Sequence, residues 1–573
     1  RKGRTSEMNE NENNTTTSPP RWLPNNRDTL EGDVTALCLG TGRFLRSVLV
    51  PALVQSGMKT ALIQPRGDSF WKYMMRSSAC SYEVDTVMPD GSIVTSQVSC
   101  AGAFSMGSPE GKEALLAMIP QLKQGIAVLG VGVTEAGLAS KATMAVNQLY
   151  ELLQALQGME STWEKPPKKV CVINTDNLPN NGDLLKSYMM DLAQGSDQMT
   201  QFLETRVLFC NTMVDRITSQ REGSNGMVPR CEPSPAKALV VLDALNDLPP
   251  ALQGQPGVVV RSTRQQLETD ISLKLRVANG THTAIAHTLA LLKHLQTDVL
   301  SSPQGSLFMK FLDSLVQQQI IPATASISSQ QEAAAVWEDW RKRLVHPHFG
   351  LSSFFITQNG TAKGGIRWGP TVTELISSDR STTAAMAFAY AALLRWLTPM
   401  PSSSDAYGIY TGWFDGSDPQ DVADEQADTA KDTVVYGDGM LHSFKQGWYE
   451  YQCTLTVPKE YDNDKSSNGD GTIALPMLLQ QCIGKRPNKC VVAVRAYLLA
   501  SMGGDLESCA SKPEFENLVH AIACLYSRMV GNGGAASIMS ILTELESKSM
   551  GGLVGFDTPC SAMMDYYMYL SGI

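Results

Sequence analysis

The stretch Val34-Thr-Ala-Leu-Cys-Leu-Gly40-Thr-Gly42-Arg-Phe44-Leu-Arg46 decides the fold. It begins as a short, largely apolar strand and breaks at two glycines into a helical pattern. Such a strand, turn and helix open a dinucleotide-binding unit, because glycine lacks a Cβ and lets the backbone approach a pyrophosphate at a helix start. Leu45 stands where the usual fingerprint has its third glycine. Taken alone, a Gly-x-Gly pair is a weak signal.

Further strand candidates lie at 60–64, 126–132, 169–174 and 206–210, most of them separated by helical stretches. That alternation predicts an α/β fold with a largely parallel sheet and crossover helices. Residues 82–88 and 93–99, joined at Pro89-Asp90-Gly91, read as an inserted hairpin. In open α/β sheets ligands bind beyond the carboxyl ends of the strands. This marks Thr134 and Glu135, the segment from Asn174 to Asn181, and that from Asn211 to Arg216 as the expected lining. After Asp270 the pattern changes to long helices at 271–297, 305–319, 329–343, 381–397, 512–530 and 534–547. The expected organisation is a disordered tail at 1–28, a Rossmann-like dinucleotide-binding domain at 29–268, and a mostly α-helical domain at 269–573. An acidic insertion interrupts the last at about 401–470.

A chain of 573 residues exceeds what one hydrophobic core supports. Its 43% apolar and 18% charged residues describe a soluble globular protein, and no apolar run approaches the ~20 residues of a membrane span. Residues 401–470 hold 14 acidic and 4 basic residues, which accounts for the whole formal charge of -10. The remaining surface is balanced, which argues against a nucleic-acid partner. Twelve cysteines without a Cys-x-x-Cys pair suggest neither a disulfide framework nor a zinc site, and fit reduced, mostly buried thiols. The chain starts at Arg1, so a fragment or processed form is expected, in the cytoplasm or, given a lost targeting segment, in an organelle.

The run Lys274-Leu-Arg-Val-Ala-Asn279-Gly-Thr-His282 carries the chemistry. On an α-helix, at about 100° per residue, Lys274, Ala278, Thr281 and His282 share one face with Asn279 at its edge. A buried lysine has its charged form disfavoured and can serve as a general base. The Asn279 amide suits an alkoxide or carbonyl oxygen, and His282 can hold a substrate hydroxyl. The blander reading of these residues is a surface lysine, a cap asparagine and a satisfied core histidine. Placed on the first helix of the second domain, such a base would face an interdomain cleft.

Five motifs then coincide in order: Gly40-Thr-Gly42-Arg-Phe44-Leu-Arg46, Thr134-Glu135-Ala-Gly137, Asp176-Asn177 with Asn181-Gly182, Asn211-Thr-Met-Val-Asp215-Arg216, and Lys274 through Asn279 to His282. Together they resemble the mannitol dehydrogenase family, the long-chain polyol and hexuronate dehydrogenases, over roughly 34–400 and most of 475–573. The resemblance implies a metal-independent exchange of hydride between a secondary alcohol and NAD, with NADP also possible. It implies Lys274 as general base, Asn177 and Asn279 on the developing oxyanion, and His282 and Asp215 on the substrate. Gly40, Gly42, Phe44, Arg46, Arg66, Thr134 and Glu135 would meet the cofactor, and Lys363 and Arg367 the far end of the substrate.

The chain departs from the family in three places. Gln64-Pro65-Arg66-Gly67 stands where an acidic residue would bind the ribose, and Arg66 suits a 2′-phosphate. Ile271, with Asp270 beside it, replaces a proton-gating glutamate. Gly350 and Leu351 replace polar substrate contacts. The readings in play are a mannitol/fructose type of polyol dehydrogenase, a tagaturonate or fructuronate reductase, and a non-catalytic dinucleotide-binding protein. The expected partner is a small polyol or keto sugar, with no membrane and no nucleic acid; monomer or small homo-oligomer is left open.

Overall fold

β1 (Ala36–Leu39) is buried at every position, as a strand covered on both faces must be. Around it run β2 (Thr60–Gln64), β5 (Gly102–Ser105), β6 (Val128–Val131), β7 (Val170–Asn174) and β8 (Val207–Cys210), with β3 (Ser81–Val87) and β4 (Ile93–Ser99) forming the hairpin between. The six strands make one parallel sheet in the order β5-β2-β1-β6-β7-β8, the doubly wound arrangement. Its direction of growth reverses between β1 and β6, so the ends of these two strands flank the switch point where such sheets bind ligands.

The computed structural model describes residues 34–563 apart from 78, 134, 293, 295, 358–359, 399–455, 459–471, 503–507, 532–533 and 548–554. The tail at 1–28, Thr134 and nearly all of the acidic insertion lie outside the described residues. Two units form, the first from Arg1–Asp85 and Thr95–Thr263, the second from Thr86–Val94 and Arg264–Ile573.

Alternation along the strands splits the first unit's core into two layers. Leu37, Leu39, Ile63, Leu129, Val131 and Val172 pack on one face of the sheet, under α3 (Pro109–Met118), α4 (Met144–Met159), α5 (Asn181–Leu192) and α6 (Asp197–Thr205). Ala36, Cys38, Leu62, Val128, Cys171 and Ile173 pack on the other, with α1 (Val50–Gln55), α2 (Ser69–Arg76) and Tyr82 of the hairpin. The sequence reading missed β5 and the three-stranded sheet of β9 (Thr212–Val214), β12 (Leu239–Leu242) and β13 (Val258–Arg261). Strands of three or four residues are too short to show alternation of their own and are held by their neighbours. β10 (Thr218–Gln220) and β11 (Pro229–Cys231) extend the hairpin into a four-stranded sheet.

Helices dominate the second unit. α7 (Arg264–Leu273), a wide turn at Lys274–Asn279 and α8 (Gly280–Leu291) form one continuous run, beginning before the predicted 271. α9 (Gly305–Leu315), α10 (Ile321–Ala323), α11 (Gln330–Leu344) and α12 (Ser353–Thr357) follow. α13 (Gly360–Ser377) and α14 (Ala384–Leu397) come next; α14 is buried at all 14 positions, and its apolar residues on every side mark it as the centre of the unit. After β14 (Thr456–Pro458) and β15 (Thr472–Ala474) come α15 (Leu475–Gln480), α16 (Pro487–Met502), α17 (Pro513–Met529) and α18 (Gly534–Ser547). α8 and α17 flank α14, and α16 lies against α13.

Candidate functional site

The glycine turn of the first unit has no room for side chains. Gly40 has φ +129°, and a Cβ there would lie 2.1 Å from the Gly132 carbonyl oxygen at the end of β6. Gly42 is exposed, and a Cβ there would lie 3.2 Å from the same oxygen. Leu45, in place of the third glycine, is accommodated from the opposite side: a Cβ at Gly132 would lie 2.5 Å from that of Leu45. The close helix-to-strand approach is therefore kept, with the small residue moved to β6. Sequence alone does not reveal this, because the two positions are far apart along the chain.

Phe44 packs against the core beneath the turn. Arg46 is buried there as well: its guanidinium donates to the carbonyls of Thr41, Met227 and Gly226 at 2.9, 2.5 and 2.7 Å and lies 4.6 Å from the Phe70 ring centroid. Burial lowers its pKa to about 10. These bonds make Arg46 an anchor of the turn, whereas its neighbour Arg43, which the sequence reading passed over, is exposed beside Gly42.

At the end of β2 the Gln64 amide is used internally. Its Oε1 accepts from the N–H groups of Phe70 and Trp71 at the start of α2, and its Nε2 donates to the Arg66 carbonyl at 2.7 Å. Arg66 is exposed on this loop. Asn174, fully buried at the end of β7, has neither amide atom bonded within the described residues. Asp176 Oδ1 accepts from Leu178 N–H at 2.8 Å and shapes the loop on which Asn177 is exposed. Asn211 Oδ1 accepts from the N–H groups of Gly182 and Asp183, capping α5, while Asn181 is tied to Thr212. Asp215 is half-buried, its N–H donating to the Ala238 carbonyl. Glu135 lies in the short turn Glu135–Leu138 after β6.

In the second unit the predicted α-helical face is locally a π-helix, Lys274–Asn279. Its wider turn, closed by i→i+5 bonds, brings residues five apart closer to one face than α-helical spacing does, so Asn279 lies nearer the side of Lys274. Among the described residues two other π segments occur, Leu45–Leu49 and Val316–Ile320, and each runs into a proline at the start of the next helix, Pro51 or Pro322. Proline lacks an N–H and crowds the preceding turn, which accounts for those two. Gly280, not proline, follows Asn279; π turns without such a cause gather at functional sites.

The second-unit candidates form one cluster. Arg367 Nη1 donates to His282 Nε2 at 2.9 Å, to the Asn279 carbonyl at 3.3 Å and to Thr283 Oγ1. Lys363, one turn earlier on α13, donates to the Ile356 carbonyl. The His282 ring stands edge-on to Trp340 at 6.0 Å, and Trp340 Nε1 donates to Thr281 Oγ1 at 2.9 Å. Burial, and then the charges of Arg367, Lys363 and Lys274, hold the His282 pKa well below 6.5. Burial also lowers Arg367 to about 10. Asp270, beside the departing Ile271, is buried in α7. Leu351 and Gly350 are taken up in packing: Leu351 exchanges hydrogen bonds with Thr297, and a Cβ on Gly350 would meet the Gln296 side chain at 2.8 Å.

A doubly wound sheet with a glycine turn at its switch point defines a dinucleotide-binding domain, here followed in sequence by a mostly helical unit that carries a lysine, an amide and a neutral imidazole. Residues 34–235 match the family described as the mannitol dehydrogenase Rossmann domain. Two solved structures share the fold. A D-sorbitol dehydrogenase in substrate-free form is 17% identical with a TM-score of 0.53, covering 74% of this chain and 90% of that one. The mannitol 2-dehydrogenase of Pseudomonas fluorescens, in a ternary complex with NAD and D-mannitol, is 15% identical with a TM-score of 0.50, covering 81% and 96%. No curated protein sequence matches the chain. Among the described residues no helix is long and apolar enough to cross a membrane, and no group of three metal-ligating side chains occurs.

Proposed function

We propose that the chain is an NAD-dependent dehydrogenase that interconverts a hexitol and its keto sugar, mannitol and fructose being the leading pair. The observation that supports this reading is the π turn, whose wider spacing draws Asn279 toward the side of Lys274, near a His282 held neutral. Lys274 takes the hydroxyl proton of the alcohol as its carbon is oxidised, and returns it in the reductive direction. Asn279 donates to the oxygen as negative charge grows on it, and Asn177 is the second amide proposed for that role. His282 and Asp215 orient the hydroxyls.

The glycine cradle fits a dinucleotide, since a side chain at Gly40 would fill it, and Asn174 adds an unused buried amide at the end of β7. Gly40, Gly42 and Arg43 would hold the pyrophosphate, with Thr134 and Glu135 as further candidates. NAD, when bound, supplies the hydride acceptor. Arg66, with Gln64 occupied locally, is the group that would admit a 2′-phosphate, so NADP is the alternative cofactor.

One observation favours a second reading, a hexuronate reductase: Lys274, Lys363 and Arg367 all bear on His282. Such a setting suits a substrate carboxylate. The test is the absorbance of reduced nicotinamide with purified protein, NADH or NADPH, and in turn fructose, fructuronate and tagaturonate. Oxidation with fructose supports the first reading and oxidation only with an acid sugar the second. Silence with every pair, despite measured cofactor binding, sinks both.

A further inference from the structure

Arg367 was expected to reach the far end of a substrate, yet its bonds run inward. Nη1 meets three acceptors on the α8 side: His282 Nε2 at 2.9 Å, Thr283 Oγ1, and the Asn279 carbonyl at 3.3 Å. Thr283 Oγ1 itself donates to the Asn279 carbonyl at 2.7 Å, so its lone pairs are free to accept. A guanidinium has donors and no acceptor. His282 Nε2 must therefore be the lone-pair nitrogen, and in a neutral ring the proton then sits on Nδ1. Nδ1 has no partner among the described residues. The ring cannot turn easily, because Trp340 stands edge-on to it and is itself fixed to Thr281.

From this geometry we infer that Arg367 is a positioning residue, which locks His282 as the Nδ1–H tautomer and makes it a hydrogen-bond donor, never a base, toward the substrate oxygen. The bond pattern stands without any reaction; the mention of a substrate oxygen rests on the dehydrogenase reading above. It divides the labour in the cluster. Lys274 is left as the group that moves a proton, and His282 supports the oxygen in the same sense as Asn279. The charged and titratable groups that face the ring agree. Arg367 and Lys363 on α13 and Lys274 on the π turn all oppose an imidazolium. His287 presents no competing charge, since its Nδ1 is bonded to the Thr283 carbonyl at 2.8 Å and burial keeps it neutral.

The test is nitrogen NMR of the whole protein with labelled histidine, a set of 7 residues, in which His282 is assigned by its loss in His282→Gln. In the wild type, Nδ1 should carry the proton and Nε2 should show the shift of an unprotonated nitrogen, unchanged from pH 8 to about 5. Arg367→Met should release the lock: the two tautomers mix and the ring titrates with a midpoint at least one pH unit higher. Arg367→Lys, which keeps a charge and one donor, should hold the tautomer and guards against misfolding as the cause. A wild-type ring protonated on Nε2, or one titrating near 6.5, overturns the inference. So does an Arg367→Met spectrum identical to that of the wild type. None of these readings requires turnover, so a failure of the proposed reaction would be seen separately.

Discussion

Helix α13 carries four glycines, Gly360, Gly364, Gly365 and Gly369, of which the last three turn toward α16, and the sharpest consequence attaches to Gly365. A Cβ added there would lie 1.9 Å from the Ser501 carbonyl oxygen and 2.6 Å from its carbon. Ordinary contact begins near 3.4 Å, so the two helices would have to part locally by about 1.5 Å. Overfilling a packed contact costs about 1–3 kcal/mol, and the partner here is backbone, which cannot swing aside. The gain of alanine over glycine within a helix is about 1 kcal/mol. With backbone as the obstacle the upper part of that range, about 2–3 kcal/mol, applies, so Gly365→Ala should destabilise by about 1–2 kcal/mol net and lower the Tm by several degrees. Gly158 in α4 is the control, because a Cβ there meets nothing within 4 Å; Gly158→Ala should stabilise by up to about 1 kcal/mol. The assay is thermal unfolding followed by calorimetry, so that the two units are seen as separate transitions if they melt apart. A Gly365→Ala protein as stable as the wild type, with Gly158→Ala raised as expected, would refute the argument.

Three further outcomes are expected. Gly40→Ala should weaken dinucleotide binding at least tenfold, measured by quenching of protein fluorescence, since φ +129° and the Gly132 carbonyl both reject a side chain. Arg66→Glu should leave NADH binding within a few-fold of wild type and remove any NADPH binding, measured in the same titration. The pH dependence of stability should bear the mark of His287. Burial lowers its pKa to about 3 in the folded chain, so between about 6.5 and 3 the unfolded chain binds more protons. Stability should be full above about 6.5 and fall as pH drops, by up to about 1.4 kcal/mol per pH unit for this residue, and urea unfolding of His287→Gln should show a shallower acid limb.

The first unit was largely legible, because buried parallel strands at regular intervals and a paired-glycine turn leave strong local signals. Its hidden part is the compensation at Gly132, a contact between residues far apart in sequence. In the second unit α13 escaped the sequence reading for a physical reason. Its glycines and Pro370 read as helix breakers, yet three of the glycines are what lets α16 approach, with the Tyr497 hydroxyl, the Ser501 carbonyl and Met502 filling the places where Cβ atoms would be. Lys363 and Arg367 were picked out as basic residues without the helix that carries them. The Lys274 face was drawn with α-helical spacing, and periodicity holds no sign of a π turn that no proline imposes. The inward bonding of Arg46 and Arg367 was likewise beyond reach, because a sequence shows a charge and not its acceptors.

The most direct test of the central claim pairs Lys274→Ala with the wild type in a single-turnover measurement of nicotinamide oxidation, with cofactor binding measured in parallel. The variant should bind cofactor as the wild type does and transfer hydride about 10²–10⁴ times more slowly at neutral pH, the usual worth of a positioned general base. Hydride transfer at the wild-type rate in Lys274→Ala would contradict the claim.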